Sequence, residues 1–184
     1  MGMEEPKLRT SPNLETLPIR LLEFATPENR DVSQEENFET NFEGVPVSVN
    51  VKIKSFFEKK MNQMPLIDII ITVSTKTEKD VEAASVKLSV LKDKNGKAFA
   101  STKVGNYNRE LKGLGRTLWE VALKLIQQIT KKLEVPVKHQ VSRVTGGGLT
   151  NQKWNELFAP LFEKYNYSKR FPDLWEKMYL PKEK

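Results

Sequence analysis

The feature that most constrains the fold is a glycine-containing turn that leads into a long amphipathic stretch. Gly113 and Gly115 lie one residue apart at its start. Apolar residues then recur every three or four positions, which predicts one long helix with a single buried stripe. The stripe comprises Leu111, Leu114, Leu118, Ala122, Leu125, Ile129 and Leu133. Pro136 is expected to end this helix.

The start of the same helix has the physical properties of an anion site. The first amides of a helix lack intrahelical partners, and the macrodipole places positive charge there. Glycines allow a ligand to approach the backbone closely, and Lys112 and Arg116 add cationic side chains. A tight turn between a strand and a helix explains the same glycines without any ligand, so the local pattern leaves both interpretations open.

The residues before the helix predict an antiparallel meander of strands. Residues 45–54 alternate between apolar and polar side chains, which is typical of a strand with one buried face. Residues 66–73 are almost continuously apolar and indicate a central strand buried on both faces. Residues 86–91 and 97–104 are separated by Asn95-Gly96, a strong signal for a hairpin turn.

The remaining elements complete an α+β prediction. They are strands at 17–24, 137–144 and 174–180, a short helix at 26–37, and a helix that begins at Thr150 or Asn151, ends near 164 and is kinked or divided at Pro160. The expected fold class is therefore a mixed, mostly antiparallel central sheet flanked by helices. Residues 1–17 are expected to form a loose arm, and residues 18–184 a single domain.

Composition limits the chemistry that the chain can perform. There is no cysteine, which excludes disulfides and thiolate metal ligands, and the single histidine, His139, excludes a multi-histidine site. The sequence thus predicts no metal. No apolar run is long enough to cross a bilayer and no signal peptide is recognised, so a cytoplasmic protein without a membrane partner is expected.

Charge is distributed unevenly along the chain. Ten acidic and four basic residues precede Val45, so this part carries a net charge of −6 and the remainder +12 of the total +6. Such a basic body attracts phosphates of any kind, including those of a nucleic acid, a nucleotide or a coenzyme. The charge alone does not indicate which of these phosphate ligands the protein binds.

The order of elements in the second half, hairpin, glycine turn, long helix, strand, short helix and strand, resembles the GNAT superfamily of N-acetyltransferases. Residues 110–115 read Glu-Leu-Lys-Gly-Leu-Gly and match both glycines of the family's Q/R-x-x-G-x-G/A loop, with Glu110 at the first position. Further on, Asn151 and the segment 161–167, Leu-Phe-Glu-Lys-Tyr-Asn-Tyr, are similar to the family's L-Y-E-K-x-G-F region. Phe162 stands where the family carries a tyrosine.

This resemblance implies a GNAT-like architecture that uses acetyl-CoA, or another acyl-CoA, as a co-substrate. The acceptor would be an amine on a small molecule or on a protein. The coenzyme would contact the strand before the turn, the turn itself and the following helix. The residues implied are Val104, Leu111, Lys112, Gly113, Leu114, Gly115, Arg116 and Asn151.

The residue that would move a proton is not assigned by the sequence. Phe162 has no hydroxyl to replace the family's tyrosine. The candidates are Glu82, His139, Tyr165 and Tyr167, each of which has a purely structural or surface interpretation as well.

Three functions therefore stay open. They are an N-acyltransferase, a GNAT-like binding or interaction module without catalysis, and a basic nucleic-acid-binding α+β protein. A homodimer is also left open.

Overall fold

The computed structural model describes residue 14 and residues 32–55, 65–76, 81–93, 95–106, 111–143 and 149–181. The predicted strand at 17–24, the first residues of the predicted helix at 26–37 and Glu110 lie outside these residues. Leu14, from the predicted arm, is 5% exposed and belongs to the core.

Eight strands form one sheet in the order β1-β2-β3-β4-β5-β6-β8-β7 within the described residues. The pair β5 and β6 is parallel, and the other neighbouring pairs are antiparallel. The strands are β1 Val32–Phe42, β2 Val45–Ser55, β3 Pro65–Thr75, β4 Val81–Lys92, β5 Ala98–Asn106, β6 Val137–Ser142, β7 Ser168–Phe171 and β8 Leu174–Tyr179. The helices are α1 Leu114–Leu133 and α2 Asn151–Lys164.

One face of the sheet forms the core. Its strands alternate apolar and polar residues, and their register aligns the apolar ones across the sheet. One such row, formed by paired residues of β2 to β5, is Val51, Ile71, Val86 and Val104. Helix α1 packs against β4, β5 and β8, and its buried stripe joins this same core. Helix α2 reaches the same side, where Phe162 lies 5.7 Å from the ring of Trp175 in β8.

The opposite face is mostly polar in the described part of the chain. The row next to the one above consists of Lys52, Ile70, Lys87 and Lys103. The three lysines are exposed and Ile70 is half-buried. No helix among the described residues covers these side chains.

The expected fold class is therefore wrong. Helices were expected to flank the sheet, whereas the described residues contain eight strands and two helices, both on one face, so this is a mostly-sheet fold. The described end of the predicted helix at 26–37 belongs to β1, in which Phe38 pairs with Val49. A second correction concerns β3, where Ile69 and Ile71 are buried but Ile70 between them is half-buried. This strand is central, but it is buried on one face.

The long helix agrees with its prediction from Leu114 onwards. Six of the seven predicted stripe residues are buried, and Leu133 at the end is half-buried. The helix ends at Glu134, whose backbone is left-handed (φ 55°) and whose amide donates to the carbonyl of Thr130 at 3.1 Å. Pro136 follows in the next segment, as expected for a residue that cannot continue a helix.

Helix α2 begins as predicted but is not divided. Thr150 is its N-cap, and its hydroxyl accepts a hydrogen bond from the amide of Lys153 at 3.2 Å. Pro160 was expected to kink or divide the helix, yet the helix runs through it to Lys164. Pro160 is exposed, so water can reach the helix backbone beside it.

Candidate functional site

The two parallel strands of the sheet part from each other halfway along β5. Strand β5 pairs with β4 as far as Asn106, but its pairing with β6 ends at Ser101, opposite Gln140. Strand β6 meanwhile stays paired with β8 up to Ser142. Among the described residues, residues 102–106 of β5 thus have a strand partner on the β4 side and none on the β6 side, which leaves a gap between β5 and β6. Backbone groups of β5 that face this gap have no ladder partner within the described part of the chain.

The first turn of α1 lies at the same edge of the sheet as this gap. Helix α1 connects β5 to the parallel strand β6. In such a unit the carboxyl ends of both strands and the N-terminus of the crossover helix share one edge. The gap and the glycine turn are therefore neighbours.

Gly113 is the N-cap of α1 and has left-handed backbone angles (φ 84°, ψ −15°). A Cβ atom built at this position meets no heavy atom within 4 Å, so the backbone angle, and not crowding, demands glycine.

Several amides at this turn are unpaired within the described residues. The Thr117 amide donates to the Gly113 carbonyl at 3.0 Å and the Leu114 amide to the Leu111 carbonyl at 3.3 Å. No such bond is made by the amides of Gly115 and Arg116, and no side chain caps the helix. Amides without a backbone partner at a helix start are the donors that bind anions in other proteins.

The electrostatics of the turn favour an anion. Lys112 and Arg116 are exposed on either side of Gly113, and the first turn of α1 contains no acidic residue. Of the other predicted coenzyme contacts, Leu111, Leu114 and Gly115 are buried, and Val104 is half-buried in the unpaired part of β5.

The far side of the gap contains a residue that the sequence interpretation missed. Arg143 directly follows β6, and its Nε donates to the Oδ1 of Asn151 at 2.6 Å. Its Nη1 donates to the carbonyl of Leu149 at 2.6 Å, and its amide to the carbonyl of Asp173 at 3.2 Å. Asn151, a predicted coenzyme contact, is thereby fixed by a guanidinium group. The one indication of Arg143 in the sequence was its position as a cation at the end of the strand that carries His139.

His139, a candidate proton acceptor, is fully buried and has no free ring nitrogen. Its Nε2 lies 2.9 Å from Oγ1 of Thr102, and its Nδ1 is hydrogen-bonded to the hydroxyl of Tyr167. Burial lowers the pKa of His139 to about 3, so the imidazole is neutral at physiological pH. Both ring nitrogens therefore contact neighbouring side chains of the core.

Tyr167, another candidate, is equally internal. Its hydroxyl lies 2.9 Å from that of Tyr179, and burial together with Tyr179 raises the pKa of Tyr167 well above its usual range. Tyr165 is the half-buried C-cap of α2, and burial and the nearby carboxylate of Glu120 raise the pKa of its phenol. Both phenols therefore hold their protons more strongly than an exposed tyrosine does.

Glu82, the remaining candidate, is exposed near the start of β4. This end of β4 lies at the same edge as the free end of β5, because Ala84 pairs with Asn106. Glu82 itself pairs with Ser74 of β3. Its carboxylate is therefore accessible at the edge of the sheet where the gap opens.

Phe162 occupies the position of the family's tyrosine and is a core residue. Its side chain is completely buried. The aromatic rings within 6.4 Å of its centroid belong to Trp119, Trp154, Phe158, Tyr167 and Trp175. Phe162 is therefore a packing residue, and its side chain has no group that could transfer a proton.

Comparisons with known proteins do not assign the chain, since no protein-family model and no curated protein matches it. In the part of the chain that the structure describes, no group of three or more histidine, aspartate or glutamate side chains is placed to hold a metal ion. Neither described helix is long and apolar enough to cross a membrane.

Proposed function

We propose that this protein binds an acyl-CoA, such as acetyl-CoA, and transfers the acyl group to an amine on a small molecule or a protein. The observation that carries the proposal is the stretch of β5, residues 102–106, that has no described strand partner on the β6 side and lies beside the uncapped and cationic start of α1. The resemblance of the glycine turn to the GNAT superfamily supports membership of that superfamily. An acyl-CoA co-substrate also fits a cytoplasmic location.

The two parts of the site, the start of α1 and the edge of β5, match two parts of the coenzyme, its diphosphate and the arm that carries the thioester. The diphosphate lies on the free amides of Gly115 and Arg116, where the helix dipole favours negative charge. The extended arm that carries the thioester contains amide groups, which pair with the free edge of β5 as an added strand does. Five residues of strand offer roughly 16 Å of edge for this pairing.

The reaction requires the amine nitrogen to attack the thioester carbonyl carbon. A carbon–nitrogen bond forms, the carbon–sulfur bond breaks, the amine gives up a proton, and the leaving thiolate takes one up. Backbone amides at the free edge of β5 stabilise the negative charge that develops on the carbonyl oxygen. In this proposal Glu82 accepts the amine proton, because its carboxylate is exposed at the same edge.

A second candidate function is binding of the coenzyme without turnover. It is favoured by the positions of Phe162, His139 and Tyr167, because these three side chains are buried in the core and neither the imidazole nor the Tyr167 hydroxyl is exposed at the gap. The third candidate, nucleic-acid binding, is supported by the lysine row on the open face, formed by Lys52, Lys87 and Lys103.

Isothermal titration with acetyl-CoA tests the proposal. The double variant Lys112→Ala/Arg116→Ala should bind about tenfold more weakly than the wild type, because two exposed charge contacts together contribute about 1–2 kcal/mol. The matched control is Lys52→Ala/Lys87→Ala, which removes two exposed cations from the opposite face and leaves residues 102–106 unchanged. It should bind acetyl-CoA within about twofold of the wild type.

The outcomes separate the three functions. Binding with thiol release over a panel of amines supports the acyltransferase, and binding without release supports the binding module. An absence of acetyl-CoA binding, together with salt-sensitive oligonucleotide binding that is lost in Lys52→Ala/Lys87→Ala, would replace both with the nucleic-acid function.

A further inference from the structure

Four buried polar side chains form one continuous hydrogen-bonded chain beneath the gap. Thr102 of β5 bonds to His139 of β6, His139 bonds to Tyr167 after α2, and Tyr167 bonds to Tyr179 of β8. Each of the four residues is at most 5% exposed. Buried polar groups persist where they are satisfied and where they fix a unique arrangement.

This series of hydrogen-bonded side chains ends at the inner end of the gap. Thr102 is the first residue of β5 beyond the last pair with β6, Ser101 and Gln140. Its Oγ1 reaches across to Nε2 of His139, at 2.9 Å. This side-chain bond therefore joins the two strands at the point where their backbones separate.

The positions of the protons in this series of hydrogen bonds determine whether the Thr102 hydroxyl can donate to a ligand. A neutral imidazole donates from one ring nitrogen and accepts at the other, and each hydroxyl has one proton. If Nε2 of His139 carries the proton, it donates to Thr102, while Nδ1 accepts from Tyr167 and Tyr167 accepts from Tyr179. The Thr102 hydroxyl then keeps its own proton for another partner. In the other tautomer Thr102 donates to His139 and can only accept from a ligand.

We propose that the Thr102 hydroxyl donates a hydrogen bond to the acyl carbonyl oxygen of the bound coenzyme, and that the hydrogen bond between Tyr167 and His139 sets the direction of that hydroxyl. The inference rests on the proposed acyl-CoA function and names the group that recognises the acyl part. Within the described residues the Thr102 hydroxyl has His139 as its partner and retains the capacity for a further bond.

His139 acts in this arrangement as a positioning residue. Its burial keeps the ring neutral, with a pKa of about 3, so one nitrogen remains a donor and the other an acceptor across the physiological range. A donor held in place before the substrate arrives needs no reorganisation when charge develops on the carbonyl oxygen. Thr102 would therefore serve both recognition of the acyl group and its activation.

The property to measure is discrimination between acetyl-CoA and CoA, since the free thiol form lacks the carbonyl. In isothermal titration, Thr102→Val should lower the affinity for acetyl-CoA about fivefold and leave that for CoA within twofold, because valine keeps the shape and loses one hydrogen bond. Thr102→Ser should retain discrimination. The control Tyr179→Phe removes a hydroxyl from the far end of the same chain and should retain it as well.

A second measurement uses the wild-type protein and needs no variant. The chain contains one histidine, so ¹⁵N-histidine labelling reports on His139 alone. We expect the nitrogen spectrum of the acetyl-CoA complex to show the proton on Nε2. A proton on Nδ1 in that complex would overturn the inference.

Failure of this inference is distinguishable from failure of the proposed function. If the wild type binds acetyl-CoA and Thr102→Val retains full discrimination against CoA, the role of Thr102 is overturned while coenzyme binding stands. A loss of discrimination in Tyr179→Phe equal to that in Thr102→Val would also overturn it, since a general structural effect would then explain both. If the wild type binds neither ligand, the proposed function and this inference are both wrong.

Discussion

Replacement of Gly113 tests the glycine turn without introducing a steric clash. Its φ of 84° lies in the left-handed region, where a side chain costs roughly 1–2 kcal/mol, and asparagine tolerates that region better than alanine. An added Cβ meets no heavy atom within 4 Å, so the whole loss of stability comes from placing a side chain on a left-handed backbone. Gly113→Ala should lower the free energy of unfolding by about 1–2 kcal/mol, and Gly113→Asn by about half as much. For a chain of this size the melting temperature falls by about 2–8 °C in the alanine variant.

Gly44 provides a matched control for this substitution. It lies in the turn between β1 and β2, has a φ of 83°, and a Cβ there also meets no atom within 4 Å. Thermal and urea unfolding should give Gly44→Ala and Gly113→Ala the same loss of stability. In titration with acetyl-CoA, Gly113→Ala alone should bind more weakly, because its methyl group enters the space assigned to the diphosphate. Equal affinity of the two variants would refute this assignment, and an unchanged stability of both would refute the backbone argument.

Three further predictions concern packing and pH. Phe162→Ala should cost about 3–5 kcal/mol in urea unfolding, whereas Leu157→Ala, at a half-exposed position on the same helix, should cost under about 1 kcal/mol. Because the folded-state pKa of His139 is lowered from 6.5 to about 3, the unfolded chain takes up a proton below pH 6.5 that the folded chain does not. Stability should thus fall as pH decreases, with a slope approaching about 1.4 kcal/mol per pH unit, and His139→Gln should remove that slope between pH 6.5 and 5. Hydrogen bonds from Lys138 and Arg170 lower the pKa of Glu176 to about 2, so Glu176→Gln should reduce stability above pH 4.5 and lose its effect as the pH falls to 2.

The long helix and the second hairpin could be predicted from sequence because their signals are local. The stripe of α1 repeats over 20 residues with a helical period. At the hairpin, Gly96 has a φ of 77°, and the carboxylate of Asp93 accepts from the amides of Asn95 and Lys97 at 2.8 Å each. Each of these features depends on residues close together in the chain.

Strand β1 could not be predicted because tertiary pairing defines it. It lies at the edge of the sheet, and its inward side chains, which include Glu36, Phe38 and Thr40, are half-buried. Its register is supported instead by polar pairs with β2, such as Asn50 donating to the side chains of Glu35 at 2.7 Å and Asn37 at 2.6 Å. An acidic segment with a weak apolar period gives little indication of this arrangement.

The candidate site was predicted in part for a similar reason. The glycine turn and its cations are adjacent in sequence, so their proximity is certain before folding. Thr102 and His139 are 37 residues apart, and they meet because β5 and β6 pair in parallel and then separate. The contact of Arg143 with Asn151 depends on the same region. The one available signal for Thr102 was a polar residue on the apolar side of a strand.

The most direct test of the central claim is an amide-resolved NMR titration of the wild-type protein with acetyl-CoA. We expect the largest shifts at the amides of Gly113, Gly115 and Arg116 and along residues 102–106 of β5, with no change at Lys52, which lies on the open face of β2. Shifts confined to the open face, or no shifts at all, would contradict the assignment of this edge as a coenzyme site.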